Sequence, residues 1–369
     1  MAFTTLSQLY VTAPILSDCS LRKSSPLKTS NVSFYFEKRA AAFALKSNTK
    51  NIGSGRRVDR KIVCAVPRQG LALARKSAVS PIELEEALRP PTNLYTDAAP
   101  HTVTVLKVEK ITGSNALGET YHVVFDHRGF LPHWEGQVFG VMPPPDNPFE
   151  PGDATKLSYF SAASTRYGEF FDGRTTDLCV RLVPGTTSEI ICNSKPGDKF
   201  QVTGPTREAM LLGDYSPNVK HIFVATGTGV APARANIRRF FKEDIPNFEY
   251  SGLAWLFLGV ANQDSLLFDR EFKQYLSDYP ENFRYDYALS REETNKSGGK
   301  KYVQDTFKDH ADEVFDLLQI GAYIYLSGRK EMVEPIKDVL KDVAEKEGLK
   351  WEEVFANWKR KSQWRVEVY

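Results

Sequence analysis

The sequence predicts two domains in series: an antiparallel β-barrel, then a doubly wound α/β unit built on a parallel sheet. Three observations carry this. Short alternating strands with Gly and Pro between them fill residues 101–208. Beyond Pro217, apolar strands alternate with helix-length stretches, the pattern of a parallel sheet covered on both faces. At the head of that second region, His221-Ile222-Phe223-Val224-Ala225-Thr226-Gly227-Thr228-Gly229-Val230-Ala231-Pro232 reads as a buried strand, a glycine turn and a helix start. At 369 residues and 41% hydrophobic, the chain can bury two such cores.

The chain opens on a different composition. Its first sixty or so residues carry about eleven Lys or Arg against about three acids, and are rich in Ser, Thr, Ala and Asn. Basic, acid-poor and without a continuous apolar core, residues 1–64 are expected to be an organelle transit peptide. Ile62-Val63-Cys64-Ala65 is the expected cleavage neighbourhood. Its removal turns the formal charge of +2 into a mildly acidic mature protein, by about six charges. No apolar run is long enough to span a membrane, and no motif points to nucleic acid. Cys19 and Cys64 lie in or beside the leader. Cys179 and Cys192 have no metal-ligand spacing, so neither a metal site nor a disulfide framework is expected.

Residues 65–100, with Arg89-Pro90-Pro91-Thr92 and Ala98-Ala99-Pro100, read as a linker. Barrel strands are expected at 102–108, 119–126, 137–142, 156–162, 178–183 and 199–203. Residues 209–369 form the α/β domain, with strands at 221–225, 253–260, 283–290, 322–327 and 364–369. Helices are expected at 233–243, 267–278, 303–318, 330–347 and 351–359. In such a sheet ligands bind beyond the carboxyl ends of the strands. Those ends are Thr226-Gly227-Thr228-Gly229, Ser290-Arg291 and Ser327-Gly328-Arg329. Gly227 and Gly229 admit a tight turn, Pro232 suits a first helical turn, and the helix start favours an anion. No Lys-Ser or Lys-Thr follows the glycines, which excludes a nucleotide-hydrolase phosphate loop. The same residues also suit any strand-turn-helix of an α/β domain. A β domain followed by a nucleotide-type α/β domain suggests a flavin on the first and a pyridine nucleotide on the second.

Thr226 to Pro232, Gly252-Leu253-Ala254-Trp255-Leu256-Phe257-Leu258-Gly259-Val260, Ser290-Arg291-Glu292 and the terminal Val366-Glu367-Val368-Tyr369 together resemble plant-type ferredoxin–NADP reductase. Ala163-Ser164-Thr165-Arg166-Tyr167-Gly168 and Gly259-Val260-Ala261-Asn262 resemble its root-type, non-photosynthetic plastid form. The likeness runs from about residue 80 to the end. It implies a FAD-binding barrel, an NADP-binding α/β domain, and electron exchange between NADPH and ferredoxin through the flavin.

On the NADP side the resemblance assigns Ser290, Arg291, Lys300 and Tyr302 to the 2′-phosphate and adenine, with Gln304 nearby. A forked cation with hydroxyl donors suits a phosphate monoester. Read without the resemblance, 291–301 is also a polar loop that solvates itself. Thr226, Val260 and Ala261 fall on the pyrophosphate and nicotinamide path, as do Gly328 and Arg329, and Arg181 matches a cation that reaches the same phosphates. The family has Cys-Gly-Leu-Lys-Gly-Met where this chain has Ser327-Gly328-Arg329-Lys330-Glu331-Met332. Ser327 in place of the cysteine should slow hydride transfer through looser nicotinamide placement.

On the flavin side the family signature is Arg-x-Tyr-Ser-x-x-Ser, and the matching positions are Ser158, Tyr159, Phe160, Ser161, Ala162, Ala163 and Ser164. Ser158 supplies no guanidinium and Phe160 no hydroxyl. Cys179 and Val180 fall among the flavin contacts. The loop after Val183-Pro184-Gly185 is short and lacks the family's adenine-stacking Tyr, and Thr187-Ser188-Glu189, preceded by Thr186, replaces its Cys-Ser-Asn. Glu189 sets a negative charge where a pyrophosphate is expected. Phe160 and Ile190-Ile191 also suit an ordinary barrel core. Ser161, Ser327, Glu367 and Tyr369 are the expected catalytic group; the last strand also serves simply to complete the sheet. The acidic partner ferredoxin calls for a basic docking face, for which Lys107, Lys110 and Arg166 are candidates. A monomer or weak dimer is expected. Two rivals remain: a flavin-poor NADP-binding pseudoenzyme or scaffold paralogue, and a flavin enzyme with a changed electron acceptor.

Overall fold

The computed structural model describes residues 78–143 and 157–369. The transit-peptide expectation and the first part of the linker lie outside the described residues. The barrel domain is built from β1 (His101–Lys110), β2 (Thr120–Asp126), β3 (Val138–Met142), β4 (Ser158–Ser161), β5 (Thr175–Arg181) and β6 (Lys199–Thr206). All pairs are antiparallel, in the order β4-β3-β6-β1-β2-β5. A single bridge between Ala162 and Leu178 draws the two edges together. The sheet is barrel-like without being closed. Val103, Val105, Val123, Phe125, Phe139, Val141 and Val180 alternate inward to fill it.

The stretch before β1, read as linker, is in its described part a strap on the barrel. It holds a short helix, α1 (Pro81–Glu85), where Glu83 accepts from the Ser80 N–H. Tyr95 exchanges backbone hydrogen bonds with Gly204, and its hydroxyl donates to the Phe130 carbonyl at 2.7 Å. Proline and small residues prevent a strand there but leave the backbone groups free to bond the barrel. A further helix, α2 (Thr187–Cys192), fills the connection after β5, where the sequence reads as a short loop.

The second domain has five parallel strands, β7 (His221–Thr226), β8 (Ala254–Val260), β9 (Phe283–Leu289), β10 (Tyr323–Gly328) and β11 (Trp364–Val368), in the order β11-β10-β7-β8-β9. One face is covered by α3 (Val230–Phe241) and α4 (Asp269–Asp278). The other carries α5 (Val303–Lys308), α6 (Ala311–Gln319), α7 (Val333–Lys346) and α8 (Trp351–Arg360). Successive residues of β7 serve opposite cores: Phe223 and Ala225 one, Ile222 and Val224 the other. The single helix expected at 303–318 is broken at Asp309-His310, whose N–H groups turn back to Thr306 and Phe307. Pro335 sits in the first turn of α7, where a missing N–H costs nothing.

Helix α3 joins the two domains through three buried arginines. Arg234 lies 2.8 Å from both Asp177 and Glu271 and 3.3 Å from Glu169. Arg238 pairs with Glu169 and Glu243. Arg239 forks onto Glu85 at 2.6 and 2.7 Å. Beside it Arg166 holds Glu135 at 2.7 Å. Burial alone would raise the Glu135 carboxyl; the charges of Arg166 and Arg239 overcome that and hold it at about 2. Arg166, expected on a docking face, is therefore corrected to a buried structural cation. Lys107 and Lys110, exposed as expected, are paired with Glu109 and Glu119. His122, Glu169 and Asp177 cluster closely enough to suggest metal ligands, yet both carboxylates already serve Arg234.

Candidate active site

The carboxyl ends of β7, β10 and β11 converge. Thr226 Oγ1 accepts the Arg329 N–H at 2.8 Å. Gly328 has φ +124° and lies so close to Thr226 that a Cβ would overlap it, so only glycine fits. Gly229 presses on the Ser327 carbonyl in the same way. Ser327 is buried and stands opposite Glu367 across the β10–β11 ladder. The Tyr369 N–H donates to the Gly328 carbonyl at 3.0 Å. Its hydroxyl shares a 2.8 Å hydrogen bond with Thr228 Oγ1, while the residue stays 68% exposed. The barrel strand β5 packs against the Gly227–Gly229 turn, which sets the barrel beside this edge.

Glu367 is the buried charge of the group. Its Oε1 accepts from Arg207 Nη1 at 3.2 Å, and its Oε2 is buried with no hydrogen-bond partner. Burial raises its pKa, and Arg207 takes back part of that rise. The Arg207 guanidinium also lies 5.1 Å from the centre of the Tyr159 ring.

The ends of β8 and β9 form a second cluster. Arg291 N donates to the Ala261 carbonyl at 2.7 Å, and Ser290 Oγ to the Val260 carbonyl at 3.2 Å, so the two turns are stitched together. The Arg291 guanidinium folds back within 3.5 Å of Ser290 Oγ. Thr294 bridges Lys300, and Tyr302, which is exposed, starts α5 with its N–H on Asp305 at 2.7 Å. Gln304 follows on α5, half-buried. Among the described residues neither Arg291 nor Lys300 has an ion-pair partner. Two unpaired cations, a hydroxyl and an exposed phenol ring are what an adenosine phosphate requires.

On the barrel side, β4 turns Phe160 onto the barrel core and leaves Tyr159, 49% exposed, as the open ring. Ser158 and Ser161 are half-buried. Cys179 and Val180 are buried, and burial pushes the Cys179 thiol far above its usual range. Arg181 is exposed and donates to the Leu117 carbonyl at 3.1 Å. The turn before α2 satisfies its own donors. Val183 N donates to Ser188 Oγ at 3.1 Å, Gly185 N to Glu189 Oε2 at 2.7 Å, and Ser188 N to Thr186 Oγ1 at 3.3 Å. Thr186 Oγ1 in turn donates to the Val183 carbonyl at 2.8 Å. Thr187 is buried behind them.

Residues 223–338 match the oxidoreductase NAD-binding domain family. The root isozyme of chloroplastic ferredoxin–NADP reductase from Oryza sativa subsp. japonica is 48% identical over 383 aligned positions, covering 100% of both chains. Root isozyme 2 of the chloroplastic enzyme of Arabidopsis thaliana is 47% identical, covering 97% of each. The chain belongs to the ferredoxin–NADP reductase family. Among solved structures, ferredoxin-NADP+ reductase from Plasmodium falciparum with 2′P-AMP superposes with a TM-score of 0.62 at 24% identity, over 75% of this chain and 99% of that one. A mutant of the same protein, in complex with 2′P-AMP, is 25% identical at the same score.

In this chain the motif residues form two groups. Thr226, Ser327, Gly328, Arg329, Glu367 and Tyr369 gather at one sheet edge. Val260, Ala261, Ser290, Arg291, Lys300, Tyr302 and Gln304 gather at the next strand ends. Sequence reasoning missed Arg207, Thr228 as the Tyr369 partner, and Tyr159 as the open ring. Arg207 carried no signal, because its partner is 160 positions away. Tyr159 was legible in principle, since β4 alternates and Phe160 takes the core face.

Proposed function

We propose that this chain is a plastid ferredoxin–NADP reductase that passes electrons between NADPH and ferredoxin through a bound FAD. What carries the reading is identity along the full length to root-type reductases, in a chain that ends on the family-like Glu367 and Tyr369. Arg291 and Lys300, with Ser290, take the 2′-phosphate, and Tyr302 lies on the adenine. The relative solved with 2′P-AMP supports this assignment. Thr226, Val260, Ala261, Gly328 and Arg329 line the pyrophosphate and nicotinamide path, with Arg181 facing the phosphates. Tyr369 covers the nicotinamide position and must swing aside. Its hydroxyl is bonded to the neutral Thr228 hydroxyl, and breaking that bond costs about 0.5–1.5 kcal/mol.

The residues present fit a flavin ring better than they fit its phosphates. Tyr159, Ser161, Tyr369 and the unpartnered Glu367 Oε2 offer open rings and hydrogen-bonding groups at one end. At the other end Ser158 brings no cation, and the donors of 183–189 are consumed internally. When bound, the flavin accepts hydride and releases single electrons; the protein orients it and admits nicotinamide by moving Tyr369. The leader composition accounts for the plastid assignment. The test is the visible spectrum of the purified mature chain reconstituted with FAD, then NADPH-driven reduction of ferredoxin against a dye. A bleached flavin and ferredoxin turnover are expected. A chain that binds NADPH but no flavin, or reduces only the dye, refutes the reading.

A further inference from the structure

Arg207 stands directly after β6 in the left-handed region, at φ +57°. A side chain with a Cβ costs roughly 1–2 kcal/mol there relative to glycine, and such strain persists only where its surroundings hold it. Two contacts do so: the 3.2 Å bond to Glu367 Oε1 and the Tyr159 ring under the guanidinium. The Arg207 side chain is 48% exposed and that of Glu367 only 8%, so the guanidinium forms the boundary between this carboxylate and water. Glu367 Oε2 is buried and unpartnered. An ionised carboxylate accepts on both oxygens, whereas a protonated one presents an O–H to any neighbour.

We propose that Arg207 is a positioning residue that holds Glu367 ionised, so that Oε2 acts as a hydrogen-bond acceptor toward an N–H or O–H of a molecule in the cleft. The inference rests on the reductase reading of this site. No other charge of the described residues faces Glu367. On β11 the Arg365 guanidinium is turned to the carbonyls of Ser362 and Glu208. On β10 the register partner is Ser327. On β4 the neighbour of the pair is the Tyr159 ring. Without the guanidinium, only desolvation acts on the carboxyl, and its proton affinity rises.

The test uses the full mature chain carrying 13C-labelled glutamate carboxyls, with Glu367→Gln assigning the resonance. Arg207→Gln removes the charge; Arg207→Gly removes it while also relieving the left-handed backbone, so that folding is preserved. Both should raise the proton affinity of Glu367 by about ten- to a hundredfold, moving its titration midpoint up by roughly 1–2 pH units. Arg207→Lys should restore most of it. The pH profile of NADPH-dependent dye reduction should move in the same direction. An unmoved midpoint in both neutral variants overturns the proposal, as does a moved midpoint with an unmoved profile. Absence of any NADPH-dependent reduction in the unaltered chain would refute the reductase reading instead, and the carboxyl titration would still decide whether Arg207 sets the state of Glu367.

Discussion

Replacing Arg234 by Met should destabilise the protein more than any surface change. The Arg234 side chain is 3% exposed and is the shared cation of Asp177, Glu271 and Glu169. Met matches its stem but leaves those acids without it. Breaking a buried pair from one side costs about 3–5 kcal/mol. His122 still faces Asp177 and Arg238 still faces Glu169, which places the expected loss at the lower end, about 3 kcal/mol. For a protein of this size that is a fall of roughly 5 °C in Tm. Differential scanning calorimetry across pH supplies the sharper test. Burial opposes ionisation of Asp177 and Glu271, yet the neighbouring cations leave both with lowered pKa values. A group depressed in the folded state stabilises above its unfolded pKa and loses that contribution as pH falls through the folded one. The variant lacks much of this depression. The gap between the two proteins should therefore be widest near pH 7 and narrow as pH drops below about 4. A loss under about 1 kcal/mol at pH 7, or a gap that stays constant as pH falls well below about 4, would refute the network account.

Arg291→Ala should remove the preference for NADPH over NADH by about ten- to a hundredfold in kcat/KM, the worth of a charge-assisted phosphate contact, with turnover on NADH unchanged. Ser327→Cys should raise turnover with NADPH by up to about tenfold, ~1.4 kcal/mol of barrier, in stopped-flow flavin reduction; a slower variant would contradict the placement assigned to Ser327. Ser158→Arg combined with Glu189→Asn supplies a cation and frees the Gly185 N–H. Fluorescence titration should then show FAD binding tightened by roughly ten- to a hundredfold, with FMN gaining less.

The parallel sheet was legible because its strands are buried on both faces, and His221–Thr226 or Ala254–Val260 can hardly be anything else. The strand-end motifs were legible because the carboxyl ends of such strands carry the ligands whatever the loops do. Three features were hidden for physical reasons. The buried arginines of α3 look like a solvated helix face until the barrel acids that receive them are placed by the fold. The break at Asp309-His310 follows from tertiary packing that no local propensity announces. The Thr186–Glu189 turn reads as loop because its stabilisation lies in side-chain to backbone bonds within six residues rather than in an apolar pattern.

The arginines of α3 also limit how this protein can be taken apart or recombined. A barrel separated from its partner would keep Asp177, Glu169 and Glu135 without the cations of α3, and an isolated α/β half would carry Arg234 and Arg239 into water or into a misfit. A hybrid that joins this barrel to the nucleotide half of another reductase should work only when Arg234, Arg238 and Arg239 travel with Glu85, Glu135, Glu169 and Asp177. The two domains thus act as a matched pair, and a hybrid has most freedom at the surface and in the strand-end loops.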